Sequence, residues 1–133
     1  MANLTPQQAN KLANSFSVMG QSVLEYRIQN IIKLSKPEYQ ELIDLHRAIL
    51  HYADHLYTLS AIIIIDDVQK SLSTIDDVTA QIKKTYKTLQ NVQKAIDVAV
   101  SIVTVGASLF SKNPKAIADS ISGLVDTWKS NLP

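Results

Sequence analysis

Apolar residues recur along the chain at the three- and four-residue intervals of amphipathic helices. The clearest stripe runs over 75–110, a second over 36–72, a looser one over 6–34 and a short one over 114–131. The first two stripes repeat every seven residues, at Ile75, Ile82, Leu89, Ile96 and Val103 and at Leu42, Ile49, Leu56 and Ile63. The pattern therefore predicts four helices over these ranges.

Residues typical of helix starts precede the predicted helices. The candidate N-caps are Thr5, Ser35, Ser73 or Thr74, and Asn113. Thr5 and Ser35 have Gln8 and Glu38 three residues later, which is the capping-box pattern. Because short connections make successive helices antiparallel neighbours, the sequence predicts an all-α protein. The predicted architecture is an antiparallel up-down-up-down four-helix bundle with three long helices and a short fourth, forming a single domain over 1–133.

The apolar stripe of the short fourth helix can cover only one part of the third helix. The two stripes predicted to face each other are Val98, Ile102, Val105 and Leu109, and Ile117, Ile121, Leu124 and Trp128. Antiparallel packing pairs their members in reverse order, and the face of helix 3 upstream of this stripe is polar. The predicted bundle therefore has four helices at one end and three at the other.

The sequence SAIIIIDDV places four isoleucines in a row. On a helix these side chains point in four directions, so Ile62 and Ile65 would fall on the polar face that carries Thr58 and His55. One interpretation is that Met1–Leu4 folds back and covers them. The other is a self-association surface, at which helix 2 of a second copy supplies the missing fourth helix.

The run VAVSIVTVGASLF, Val98–Phe110, is the longest uncharged apolar segment of the chain. A helix of that length spans only about 20 Å, short of the ~30 Å hydrocarbon core, which favours a buried core helix. Its β-branched residues, like those of the isoleucine quartet, leave a strand open as an alternative.

Composition excludes several classes of function. The net charge of +1 gives no bulk electrostatic case for binding nucleic acid or an anionic membrane. The absence of cysteine excludes disulfides, thiolate nucleophiles and cysteine-based zinc sites. Neither a signal-peptide pattern nor a phosphate-loop or nucleophile motif is visible. We therefore expect a cytoplasmic protein that is not an enzyme and uses no cofactor.

Metal-binding patterns are weak. His51 and His55 have the spacing that can present two imidazoles to one ion, and Asp44 lies on the same stripe about 10 Å away along the axis. Four acidic residues flank the predicted 73–74 turn: Asp66, Asp67, Asp76 and Asp77. Four lysines give the predicted helix 3 a local excess of positive charge: Lys83, Lys84, Lys87 and Lys94. Without a third ligand, a calcium-loop spacing or interleaved aromatic residues, these groups are typical of solvated helix faces.

Three functions fit the sequence. The first is an assembly protein that forms a homodimer or binds a helical partner through Ile62, Ile65, Thr58 and His55. The second is a membrane-active protein whose hairpin 95–125 opens and inserts, although four charged residues interrupt that hairpin. In pattern the hairpin resembles those of helical pore-forming toxins, whose apolar helices are buried in the soluble state. The third is a small-ligand binder in the bundle core.

Overall fold

The computed structural model describes residues 2–58 and 63–130. The described residues form five α-helices: α1 (Pro6–Gln29), α2 (Lys36–Thr58), α3 (Val68–Thr85), α4 (Val92–Leu109) and α5 (Pro114–Lys129). Two short strands, β1 (Ala2–Asn3) and β2 (Ile64–Ile65), and two 3-10 turns, Ile31–Lys33 and Tyr86–Thr88, complete the structure. The prediction of an all-α protein is confirmed.

Three of the predicted helix starts have the expected capping hydrogen bonds. The Gln8 backbone N–H donates to the Thr5 hydroxyl at 3.1 Å, and the Thr5 N–H donates to the Gln8 side chain at 2.9 Å. Ser35 and Glu38 repeat this reciprocal pair at 3.2 and 2.8 Å. The Asn113 side chain accepts hydrogen bonds from two N–H groups of the first turn of α5. Local capping chemistry therefore placed these boundaries correctly.

The predicted second helix, 36–72, is wrong in its second half. α2 ends at Thr58, β2 follows as extended chain, and a new helix begins at Val68. β2 pairs with β1 in antiparallel register, Ala2 opposite Ile65 and Asn3 opposite Ile64. The strand alternative is therefore correct for this part of the isoleucine quartet, because hydrogen bonds to the N-terminal residues replace those of a helix.

The start of α3 lies earlier than predicted. The Asp67 carboxylate accepts a hydrogen bond from the Lys70 backbone N–H at 3.0 Å and caps the helix. The predicted caps Ser73 and Thr74 lie inside α3. Since nine helical residues span about 14 Å, Asp67 lies well apart from Asp76, and the predicted cluster of four aspartates at one turn is not formed.

The predicted third helix, 75–110, is interrupted. α3 ends at Thr85, and the Asn91 side chain caps α4 by accepting from the Lys94 backbone N–H at 3.1 Å. Within the interruption Tyr86 is buried, and its hydroxyl donates a hydrogen bond to the Ala95 carbonyl inside α4. The first four heptad residues are nevertheless buried: Ile75, Ile82, Leu89 and Ile96. The stripe therefore predicted correctly which side chains are buried, but the single continuous helix that it also predicted is wrong.

The N-terminal residues cover the isoleucines from within the chain. Besides the β1–β2 pairing, the Leu4 backbone N–H donates to the Ile63 carbonyl at 3.2 Å. Leu4, Ile63 and Ile65 are all buried. The position predicted for Ile65 on a polar helix face is therefore wrong, and the fold-back interpretation is supported. Ile62 lies outside the described residues.

The helices pack as two antiparallel hairpins, joined by α3 and by direct packing of α2 against α4. α1 packs chiefly against α2 and α4 against α5, while α3 contacts both α1 and α5. The hydroxyls of Ser101 and Thr127 lie 3.3 Å apart and those of Ser108 and Ser120 lie 2.7 Å apart, which fixes the antiparallel direction of α4 and α5. Both predicted facing stripes are buried: Val98, Ile102, Val105, Leu109, Ile117, Ile121, Leu124 and Trp128. The strand alternative for Val98–Phe110 is wrong, because α4 covers nearly all of it.

Candidate functional site

Of the three weak metal candidates, His51 and His55 lie together, whereas Asp44 does not join them. The rings of His51 and His55 lie 4.0 Å apart, and the His55 ring also meets Phe110 edge to face. The Asp44 carboxylate instead accepts a hydrogen bond from a neighbouring glutamine amide at 3.0 Å. Over 2–58 and 63–130, no group of three or more acidic, histidine or cysteine side chains could hold a metal. The two histidines belong to an aromatic cluster on α2.

The predicted self-association surface is not assembled by the described residues. Thr58 is exposed and donates a hydrogen bond to the His55 carbonyl at 3.2 Å, while the His55 side chain is half-buried. Ile65, whose side chain the self-association interpretation needs on the surface, is buried in the strand that pairs with β1. The exposed aromatic side chain nearby, Tyr57, donates to the Asn14 side chain at 2.7 Å.

Exposed apolar side chains gather at the other end of α2. Ile28, Ile31 and Ile32 are 59%, 52% and 99% exposed, and we call these three residues the isoleucine end. The other large exposed apolar side chains among the described residues, Tyr57 and Val100, stand singly in α2 and α4. Single exposed apolar residues are common on protein surfaces, whereas a cluster marks a site of interaction.

The chain folds locally so that these isoleucines project. α1 stops because Asn30 leaves the helical conformation, and its side-chain amide donates to the Tyr26 carbonyl at 2.9 Å and to the Lys87 carbonyl at 3.3 Å. The Lys33 ammonium donates to the Gln90 carbonyl at 3.1 Å. Hydrogen bonds therefore join the 3-10 turn that carries two of the isoleucines to the segment between α3 and α4.

Two buried tyrosines lie in the two chain segments that meet at this end. Tyr26 and Tyr86 are both buried and meet edge to face, with ring centroids 5.4 Å apart. Burial raises the pKa of each phenol, and the charge of Glu38 raises that of Tyr26 further. Both phenols therefore stay neutral under physiological conditions, as expected of structural side chains.

Basic side chains are frequent in the two chain segments that meet at the isoleucine end. We call five exposed lysines the lysine rim: Lys33, Lys36, Lys83, Lys84 and Lys87. They lie in two segments, 26–37 and 78–96, which contain no aspartate or glutamate. Glu38, the next carboxylate along the chain, accepts the capping hydrogen bond from the Ser35 N–H. In the part of the chain that the structure describes, the one ion pair is Lys115–Asp119 in α5, so no rim lysine is paired with a described carboxylate.

A groove lies between α1 and α3. Its volume is about 740 Å³, and polar side chains from both helices line it above an apolar floor that includes Leu12 and Ile75. The Thr79 hydroxyl is buried there without a hydrogen-bond partner in the described structure. The groove contains Lys11 and Asp76 as its titratable residues, both exposed, so it has no acid–base pair in a shielded environment.

His46 on α2 provides a pH dependence of stability. Burial, followed by the charges of Arg27 and Arg47, lowers its pKa below the ordinary 6.5. The unfolded chain therefore binds a proton at a higher pH than the native protein does, so this contribution destabilises the fold as pH falls through 6.5. We expect the melting temperature to fall less between pH 7.5 and 5.5 in His46→Gln than in the wild type. Equal falls in thermal denaturation would contradict this assignment.

One described helix has the length and composition needed to cross a membrane. It is α4, with a mean hydropathy of 1.4 over 18 residues. However, 56% of this segment is buried inside the fold, and core helices of soluble proteins pass the same test. Its apolar character is thus accounted for by its packing against α5 and α2.

The candidate site therefore has two parts at one end of the molecule. Three isoleucines project from the last turn of α1 and the 3-10 turn that follows it, and exposed lysines without described carboxylate partners lie in the same and the adjoining segment. Both parts rest on segments that hydrogen bonds from Asn30 and Lys33 hold together. No protein-family model, curated protein or solved structure matches this chain.

Proposed function

We propose that the protein is not an enzyme and that it binds reversibly to a membrane surface through the isoleucine end. The observation that carries this proposal is the clustering of three exposed isoleucines, one of them, Ile32, fully in solvent. Each isoleucine moved from water into an apolar environment contributes roughly 1.5–3 kcal/mol. Partial insertion of three such side chains is enough for reversible attachment of a small protein.

The shape of the site favours a lipid interface over a protein partner. Ile32 is 99% exposed and protrudes into solvent, beside an open depression lined by Ile31, Leu34 and Tyr39. A protein partner would need a complementary pocket for each protruding side chain, whereas the headgroup region of a bilayer accommodates protrusions of many shapes. We place the protein in the cytoplasm, where it would meet the inner leaflet.

Flotation with lipid vesicles tests the proposal. Ile28→Ser/Ile31→Ser/Ile32→Ser is expected to reduce the fraction of protein that floats with phosphatidylcholine–phosphatidylserine vesicles, with at least about a 100-fold loss in partition coefficient. Circular dichroism should show an unchanged fold, because exposed substitutions alter stability little.

Tyr57→Ser/Val100→Ser is the matched control, since it removes two exposed apolar side chains from elsewhere on the surface. It should float like the wild type. A wild type that stays with the unbound fraction, or a triple variant that floats as well as the wild type, would refute the proposal.

A second candidate function is insertion of the α4–α5 hairpin, favoured by the hydropathy and length of α4. Against it, the Lys94 ammonium is buried and donates hydrogen bonds to the Trp128 carbonyl, at 2.8 Å, and to the Ser130 carbonyl. Opening the hairpin must break both contacts. Release of dye from the same vesicles would support insertion, whereas binding without release would support surface attachment.

The finer architecture is also part of the proposal. We infer an antiparallel four-helix arrangement in which α3 and α4 together occupy the position predicted for one long third helix. The proposal does not include a homodimer or a helical partner bound at the face of Thr58 and His55. Its apolar contribution was to come from Ile62, outside the described residues, and from Ile65, which is buried.

A further inference from the structure

We infer that the lysine rim selects membranes rich in anionic phospholipids; this inference rests on the proposed function. The isoleucines by themselves do not distinguish lipid headgroups, because their contribution is apolar. The rim adds exposed ammonium groups at the same end of the molecule. It thereby specifies which lipid surface the isoleucine end would meet.

Folding, more than composition, creates the rim. Lys33 comes from the α1–α2 connection, Lys36 from the start of α2, and Lys87 from the segment after α3. The hydrogen bonds from Asn30 to the Lys87 carbonyl and from Lys33 to the Gln90 carbonyl bring these distant parts of the chain together. Because neither segment contains a carboxylate, local positive charge is not neutralised there.

Helix stability accounts for only some of these lysines. Lys83 and Lys84 lie in the last turn of α3, where the helix dipole favours a positive charge. Lys36 is the first residue of α2, where the same dipole disfavours a positive charge. The dipole of α2 therefore does not explain its position.

The charge distribution would also orient the molecule. Asp66 and Asp67 lie at the start of α3, and the rim lysines Lys83 and Lys84 lie at its end. Eighteen helical residues separate these groups by about 27 Å. The end of α3 that contributes to the rim is therefore positive, which favours its approach to a negative surface. An apolar anchor and a basic cluster together give the two signals that stable membrane attachment requires.

Comparison of neutral and anionic vesicles tests the inference. Wild type should bind vesicles containing phosphatidylserine more tightly than pure phosphatidylcholine vesicles, and 0.5 M salt should reduce that preference. Lys33→Gln/Lys36→Gln/Lys87→Gln should weaken binding to the anionic vesicles on the order of 100-fold and leave binding to neutral vesicles unchanged.

Lys11→Gln/Lys70→Gln/Lys112→Gln is the matched control. It removes the same charge from exposed positions away from the rim and should retain the wild-type preference. Lys36→Gln/Lys87→Gln repeats the test without touching the hydrogen bond of Lys33.

The possible failures are distinguishable. Equal, salt-independent binding to both kinds of vesicle would overturn this inference and leave the proposed function standing. Absence of binding to either kind would overturn both. Tighter binding to a DNA duplex than to anionic vesicles, unaffected by the isoleucine substitutions, would also overturn the inference, because the rim would then serve a nucleic acid.

Discussion

Ile65→Glu is expected to lower the free energy of unfolding by about 3–5 kcal/mol, a large share of the stability of an ordinary domain. Ile65 is 2% exposed, in a strand that pairs with Ala2–Asn3 and packs against α5. A carboxylate at this position loses its hydration without gaining a described cationic partner, which is the costly case of charge burial. Denaturation by urea, followed by circular dichroism, measures the effect.

Ile32→Glu is the control for the same chemical change. Because Ile32 is 99% exposed, its replacement should change stability by no more than about 0.5 kcal/mol. Light scattering on both variants then distinguishes burial within the chain from burial between chains. A wild-type dimer that Ile65→Glu converts into a stable, folded monomer would contradict the structural assignment and restore the self-association interpretation.

Periodicity predicted those parts of the fold that depend on residues close in sequence. The stripe of α4 is apolar at successive helical positions, and the caps at Thr5, Ser35 and Asn113 act within one turn. The interruption after Thr58 depends instead on Ala2 and Asn3, which are more than fifty residues away. No local pattern in the quartet specifies that partner, so a heptad continuing through Ile63 favoured a helix.

The candidate site was missed for a similar reason. Lys83, Lys84 and Lys87 were interpreted as one flank of a helix, because net charge and spacing on a single element give no information about Lys33 and Lys36. The hydrogen bonds that bring the two segments together join residues more than fifty positions apart. A local signal did exist: in NIIKLSK, paired isoleucines stand among lysines without a carboxylate.

The second large effect concerns Gly106, which lies in α4 against the ring of Tyr52. Gly106→Ala is expected to lower the free energy of unfolding, although alanine normally stabilises a helix by about 1 kcal/mol relative to glycine. A Cβ atom at this position would lie 2.6 Å from Cγ of Tyr52, close to the backbone of that residue, so the ring cannot move away without displacing α2 or α4. Overpacking of this kind costs about 1–3 kcal/mol and should exceed the gain.

Gly123→Ala in α5 is the matched control, because a Cβ there meets no atom within 4 Å. It should stabilise the protein by about 0.5–1 kcal/mol, so the two glycine substitutions should shift the melting temperature in opposite directions. In a Tyr52→Ala background the clash at residue 106 disappears, and Gly106→Ala should become stabilising as well. An additive double-mutant cycle would contradict the close contact between α2 and α4 that holds α4 in the core.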